Sequence, residues 1–168
     1  KVTGTPVDEA EVREMVHIAH EEGFAVMSHT NGIYGTRAAI EAGVDSLEHG
    51  NYMDAETIAM LADSNTVWVP TLVTVRNLAG CGRYEDSVLN PIIHQAEVLV
   101  RLAYQKKVKV APGSDAGAYR VLHGQGLLDE YRELSALLTA PRDGAAAVSQ
   151  KELDARFLAA EKRIRERF

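Results

Sequence analysis

Apolar positions along the chain follow two periods. In residues 8–22, Val12, Met15, Val16 and Ala19 recur at three- and four-residue spacing, the pattern of an amphipathic helix. Asp8 and Glu9 suit its N-terminal turn and Gly23 its end. Residues 24–28, Phe-Ala-Val-Met-Ser, predict a short buried strand that delivers His29 into a His-Thr-Asn-Gly loop. The same grammar then repeats. A short helix over 36–42 stops at Gly43, and a strand over 44–48 runs into His49. A helix over 54–63, with Ile58 and Leu61 among its apolar positions, precedes a strand over 66–69 closed by Pro70. Residues 71–87, containing Gly80, Cys81 and Gly82, have neither period, and a loop of that size is usually functional or mobile. A long helix over 87–106 carries Ile93, Ala96, Val100 and Ala103 on its apolar face. A fourth strand over 108–111 leads through Pro112-Gly113-Ser114 to Asp115. A helix over 126–138, a linker over 140–149 and a charged helix over 150–168 complete the chain.

Short apolar strands alternating with helices imply an α/β protein with right-handed crossovers and a parallel sheet. Ligands bind such sheets at the carboxyl ends of the strands. His29, His49 and Asp115 are expected there, as is the Pro70-Thr71 turn with Arg76 in its loop. Four strands make half of a (β/α)8 barrel, which takes about 250 residues; the other reading is a small open four-stranded sheet.

Composition narrows the classes. The 168 residues suffice for one domain with a core, and 46% hydrophobic with 25% charged residues is ordinary for a globular protein. No apolar run reaches the roughly 18 to 20 residues of a membrane span, and the opening Lys-Val-Thr-Gly-Thr-Pro lacks the apolar core of a signal peptide. A single cysteine, Cys81, forms no internal disulfide and fits a reducing cytoplasm, the expected location. A net charge of −6, with no basic cluster before the last turn, argues against nucleic acid as a partner, and no membrane partner is expected.

Two imidazoles and a carboxylate on separate strand ends suit zinc or another divalent metal. The carboxylate can ligate and also accept a proton from water acidified by the ion. His49 lies 20 residues after His29, and Asp115 lies 66 after His49, so no single helix face holds all three. Each residue alone has a plainer reading: a hydrogen-bonded structural histidine, or an Asp that forms a turn or cap. Three of them on successive repeats point to a site. His17 and His20 read as solvated or partly buried helix positions, His94 as structural, and Cys81 as a loop residue. Asn31-Gly32 has a hairpin signature but precedes a helix. The basic residues of the last helix, with Glu152, Glu161 and Glu166, form a solvated or partner-facing surface. Gly113 and Gly124-Gln125-Gly126 match neither a P-loop nor a dinucleotide fingerprint, which ranks a phosphate-binding domain last.

Four stretches together carry a family resemblance: Ser28-His29-Thr30-Asn31-Gly32, Ala42-Gly43-Val44-Asp45-Ser46-Leu47-Glu48-His49-Gly50, Val69-Pro70-Thr71-Leu72 and Gly113-Ser114-Asp115-Ala116-Gly117. They resemble the second half, strands five to eight, of an amidohydrolase-superfamily barrel of the imidazolonepropionase and prolidase-like branch, over roughly residues 1–135. The resemblance implies that His29 and His49 bind metal and that Asp115 binds metal and acts as general base and acid. Lys1 stands where many members carry a carboxylated lysine. His123, followed by Gly124, resembles a segment on the substrate side, and Asn31 occupies the place of a second histidine often found after the strand-five ligand. With Arg76, these form the expected substrate-binding set. The implied activity is hydrolysis of a C–N bond in a cyclic or dipeptide-like amide, with one or two divalent ions, zinc among them, and a small-molecule substrate. Residues 1–138 are expected to form the partial barrel, and 139–168 a linker and helix packed on it. The family's strand-one His-x-His pair is absent, and 139–168 show no strands for its small β-sandwich. The alternative is a non-catalytic half-barrel or pseudoenzyme that self-associates, as a homo-oligomer or with its missing half.

Overall fold

In the computed structural model, which describes residues 7–140 and 146–168, the first three helices each lead into a strand of one parallel sheet. Helix α1 spans Glu9–Glu21, with the Asp8 side chain accepting the Ala10 N–H at 2.9 Å as its N-cap. Strand β1, Met27–Thr30, leads to α2, Ile33–Ala42, which ends on Gly43 in the left-handed conformation that glycine adopts without strain. Strand β2 is Ser46–His49 and α3 is Ala55–Asp63, capped by Asp54 on the Thr57 N–H. Strand β3, Val67–Val69, is followed by the single turn α4, Val73–Arg76, then by α5, Asp86–Gln105. Helices α6, Gln125–Thr139, and α7, Gln150–Arg167, complete the elements.

The sheet has the order β1-β2-β3, and every pairing is parallel. The expected α/β architecture with parallel strands is present, but the sheet has three strands among the described residues. The expected fourth, 108–111, joins through one bridge, Trp68 to Val110. Its hydrogen bonds run from the Trp68 N–H to the Lys109 carbonyl at 2.8 Å and from the Ala111 N–H to the Trp68 carbonyl at 3.0 Å. Pro112, which has no N–H, cannot donate to a longer ladder. The first strand also starts three residues later than its apolar run, because the Phe24 N–H still completes α1 by bonding the Ala19 carbonyl at 2.8 Å. Phe24 is 68% exposed rather than buried. His29 therefore lies inside β1, not in the loop after it.

Alternation along the strands divides the sheet into two faces. Leu47, Trp68 and Val110 join the main core with Val16, Ile40, Ile58, Leu61, Val100 and Leu134 from the helices. Val67, Val69 and Ala111 pack on the other face against Ala160 of α7, with Ile164 partly buried beside them. Helix α7 is further tied to the sheet by Arg167, which donates to Asp45 at 2.5 Å. His20 and the Val26 N–H donate to the same carboxylate, at 2.8 and 2.9 Å. Burial opposes the charge of Asp45, but these three donors hold its carboxyl below the usual range.

Helix α6 turns Gly126, Glu130, Leu134 and Leu138 inward at four-residue spacing. Glu130 is completely buried, and its two carboxylate oxygens accept the Leu72 N–H at 3.0 Å and the Val73 N–H at 2.9 Å, capping α4. Burial pushes its carboxyl up to about 7, the two N–H groups partly offset that, and the charge of Glu133 adds to it. A raised folded value makes Glu130 stabilising below the unfolded value near 4.5, and that contribution is lost as pH rises through about 7. Unfolding stability is expected to fall across this window by roughly 3 kcal/mol. Urea titrations at stepped pH check this: Glu130→Gln flattens the slope, and parallel profiles for the two proteins contradict the assignment.

Candidate functional site

The β1–β2 register pairs His29 with Glu48 and Thr30 with His49. Paired residues share a face and neighbours alternate, so His29 and His49 belong on opposite faces in a regular sheet. They meet because His49 leaves the strand with φ 68°, in the left-handed region. Histidine is among the residues enriched there, at a cost of about 1–2 kcal/mol. Gly50 follows at φ 67°, and a Cβ on it would lie 2.7 Å from Met53 Cε and 3.0 Å from Trp68 Nε1. Two hydrogen bonds fix the turn: the Trp68 indole N–H donates to the His49 carbonyl at 3.0 Å, and the Gly50 N–H donates to the Thr30 carbonyl at 3.0 Å. The result places His29 Nδ1 3.0 Å from His49 Nε2, with ring centroids 5.1 Å apart and planes tilted by 50°.

Behind this pair, the Thr71 hydroxyl lies 2.7 Å from His49 Nδ1. When Nδ1 donates to that hydroxyl, Nε2 presents its lone pair toward His29. Thr71 also has a left-handed backbone, φ 49°, which for a β-branched residue costs on the order of 1–3 kcal/mol. Asp115 follows the Val110 bridge in irregular chain, at φ 51°, and its carbonyl accepts the Ala118 N–H at 3.1 Å. It is exposed, and its charge acts on His49 and Glu48. Burial lowers the His49 imidazole below 6.5, the Asp115 charge opposes that, and His29 reinforces it. Glu48, buried beside His29, is raised by burial, lowered by the Ser46 hydroxyl at 2.8 Å and by His29, and raised by Asp115.

Among the described residues, no three His, Cys, Asp or Glu side chains close into a metal-holding group. The donor chemistry of the histidine pair nevertheless fits a zinc-type ion. Two nitrogens on one tetrahedral zinc at 2.0–2.1 Å stand about 3.3 Å apart, so the 3.0 Å separation needs little opening. Thr71 supplies the outer hydrogen bond that orients ligating imidazoles, and Asp115 supplies a nearby carboxylate.

The other expected residues lie elsewhere. Asn31 accepts both the backbone and the side-chain N–H of Asn51, each at 3.0 Å, linking the loops after β1 and β2. Arg76 donates to Glu97 at 3.0 Å and to Glu133 at 3.1 Å, and lines a cavity of about 90 Å³ with Leu72, Val75 and Leu137. His123 is exposed just ahead of α6, its carbonyl accepting the Gln125 N–H at 2.9 Å. Lys1 lies outside the described residues. Cys81 is half-buried in the loop before α5. Sequence reasoning missed Glu48 and the part played by Thr71, whose only signal was its place after Pro70. It missed Glu130 too, although an acid on an otherwise apolar four-residue stripe was visible.

The folded pKa of His49 carries a test of Asp115. In metal-free protein the His49 ring is expected to titrate below 6.5, and Asp115→Asn to move it lower still by removing the charge that opposes the shift. Ring-proton NMR across the pH range reads both. A midpoint unmoved by the substitution means that Asp115 does not face the pair.

No family model matches the chain. It is 30% identical over 129 residues, 73% of its length, to uncharacterized proteins of Mycobacterium tuberculosis and Mycobacterium bovis, and spans about a third (34%) of those relatives. Among solved structures it is similar to an Xaa-Pro dipeptidase with methionine bound in its active site, at 30% identity and TM-score 0.62, covering 77% of this chain and 34% of that one. An amidohydrolase matches at 26% identity and TM-score 0.65, with 92% and 38% covered. A prolidase complexed with N-methylphosphonate-L-proline matches at 25% identity and TM-score 0.62, with 81% and 34% covered. These neighbours are amidohydrolase- and prolidase-type proteins, and the α/β fold of this chain is similar to part of theirs.

Proposed function

We propose that this chain is the second half, strands five to eight, of the (β/α)8 barrel of a metal-dependent hydrolase that cleaves C–N bonds in dipeptide-like or cyclic amides. The observation that carries the reading is the convergence of His29 Nδ1 and His49 Nε2 at the ends of adjacent parallel strands. The likeness to the Xaa-Pro dipeptidase and the amidohydrolase supports the choice of amide substrates over other ligands of parallel sheets.

His29, His49 and Asp115 would hold zinc or another divalent ion, with Lys1 as a carboxylated ligand if a second ion is held. The ion supplies Lewis acidity toward the amide carbonyl and acidifies water. The remaining steps fall to the chain. Thr71 keeps the His49 lone pair on Nε2. Asp115 takes the proton of the attacking water and returns it to the leaving nitrogen as the C–N bond breaks. Its exposure leaves the carboxylate open to both water and substrate. Asn31, His123 and Arg76 would contact the substrate beyond the reacting bond. The proposed setting is the cytoplasm, in keeping with a lone half-buried thiol; no helix among the described residues is long and apolar enough to cross a membrane.

A second reading rests on the outer side of β1. Met27 on β1 is 50% exposed and Phe24 just before it 68%, and β1 has no partner on that side among the described residues. Such an edge invites pairing with another chain, which suits a non-catalytic half-barrel that self-associates or docks its missing half. Light scattering of a dilute sample separates the cases: a strict monomer removes the self-associating one.

The test of the hydrolase is Asp115→Asn in the full-length protein with zinc present, assayed on Xaa-Pro dipeptides and cyclic amides. At saturating zinc, turnover is expected to fall by about 10²–10⁴-fold, because Asn removes the base as well as a carboxylate ligand. Wild-type turnover with zinc bound contradicts the role given to Asp115.

A further inference from the structure

Glu130 has no place in the chemistry proposed above, yet it is a fully buried carboxylate on an apolar helix stripe. Groups of this kind are costly to bury and persist where they satisfy something that nothing else reaches. Its two oxygens accept the N–H groups of Leu72 and Val73, the residues immediately after Thr71. Thr71 is buried and has a left-handed backbone, and Thr74 holds its carbonyl from the same side, through its N–H at 3.1 Å and its hydroxyl at 2.8 Å. The Thr71 hydroxyl in turn meets His49 Nδ1. A continuous path therefore runs from α6 through the 71–73 turn to the imidazole.

We propose that Glu130 is the positioning residue for His49: by gripping the Leu72 and Val73 amides it holds Thr71 in its left-handed turn, and so selects the His49 tautomer whose Nε2 lone pair faces His29. This rests on reading His49 as a site ligand. A relaxed Thr71 would swing its hydroxyl away from Nδ1, and both tautomers of His49 would then be populated. Once ionised, above about pH 7, the carboxylate is specifically suited to the task because it presents two acceptors to two donors. A glutamine in its place offers one acceptor and sets its NH2 against the remaining N–H. An aspartate falls a methylene short of the turn.

The experiment reads the ring nitrogens of His49 by ¹⁵N NMR, and amide exchange at Leu72 and Val73, in metal-free full chain prepared with chelator and held above pH 7, where Glu130 is ionised. Wild type is expected to show one His49 tautomer, protonated at Nδ1, with both amides protected. Glu130→Gln is expected to give a tautomer mixture and at least tenfold faster exchange at one of the two amides. Thr71→Ala is expected to release the tautomer while leaving exchange at Leu72 and Val73 within about twofold of wild type. A single tautomer retained in Glu130→Gln overturns the proposal. If that variant does not fold, Thr71→Ala decides, and an unchanged His49 tautomer there overturns it equally. Zinc content of the wild type is measured separately: protein that takes up no zinc undoes the reading of the metal site, while the tautomer result still judges the link from Glu130 to His49.

Discussion

The left-handed backbone at His49 is the constraint on which the site depends. Without it, strand alternation would send His29 and His49 to opposite faces of the sheet. With it, the two imidazoles come within hydrogen-bonding distance. The turn carries an intrinsic cost, and the surroundings meet it from several directions. Trp68 holds the carbonyl from the helix-packed face, Gly50 permits a second left-handed residue in a space that admits no Cβ, and Thr71 holds the ring. The core explains why these supports do not yield, since Leu47 and Trp68, on whose face the indole sits, are almost completely buried among the helices.

The same geometry organises the charges. Glu48, His29, His49 and Asp115 act on one another across a few side chains, and two of them are at least partly removed from water. Burial disfavours the charged forms of Glu48 and His49, while Asp115 remains exposed at the rim. A His49 imidazole whose charged form is disfavoured by burial, with His29 against it and an exposed carboxylate acting on it, suits cation binding better than a structural salt bridge, because neutral imidazole is the ligating form. By contrast, Arg76 with Glu97 and Glu133, and Arg167 with Asp45, are ion pairs that tie elements together.

Much of this was legible in the sequence, for physical reasons that differ between elements. The helices were readable because amphipathic spacing and stops such as Gly43 act locally, within a turn or two. The strand ends were readable because an apolar run breaks where the chain leaves the sheet, which placed His29, His49 and Asp115 near one rim. What failed was what depends on partners far along the chain. The fourth strand shrank to a bridge at Val110 because a strand needs a ladder, and Pro112 and the three-residue β3 limit it. The shift of β1 came from Phe24 bonding back to Ala19, a helix-end effect that apolar content does not reveal. The left-handed turn at His49 had a local hint in Gly50, but its consequence, the exchange of faces, appears only once the register is known. Nothing local marked Asp45 as an anchor point, since its partner, Arg167, lies 122 residues away.

X-ray absorption at the zinc edge tests the central claim most directly, since it counts what surrounds the ion without reference to turnover. Zinc added to the metal-free protein is expected to show two imidazole nitrogens at about 2.0–2.1 Å, with one of them lost in each of His29→Ala and His49→Ala. A shell of oxygen alone, or a spectrum that neither substitution alters, would show that the two histidines do not share an ion.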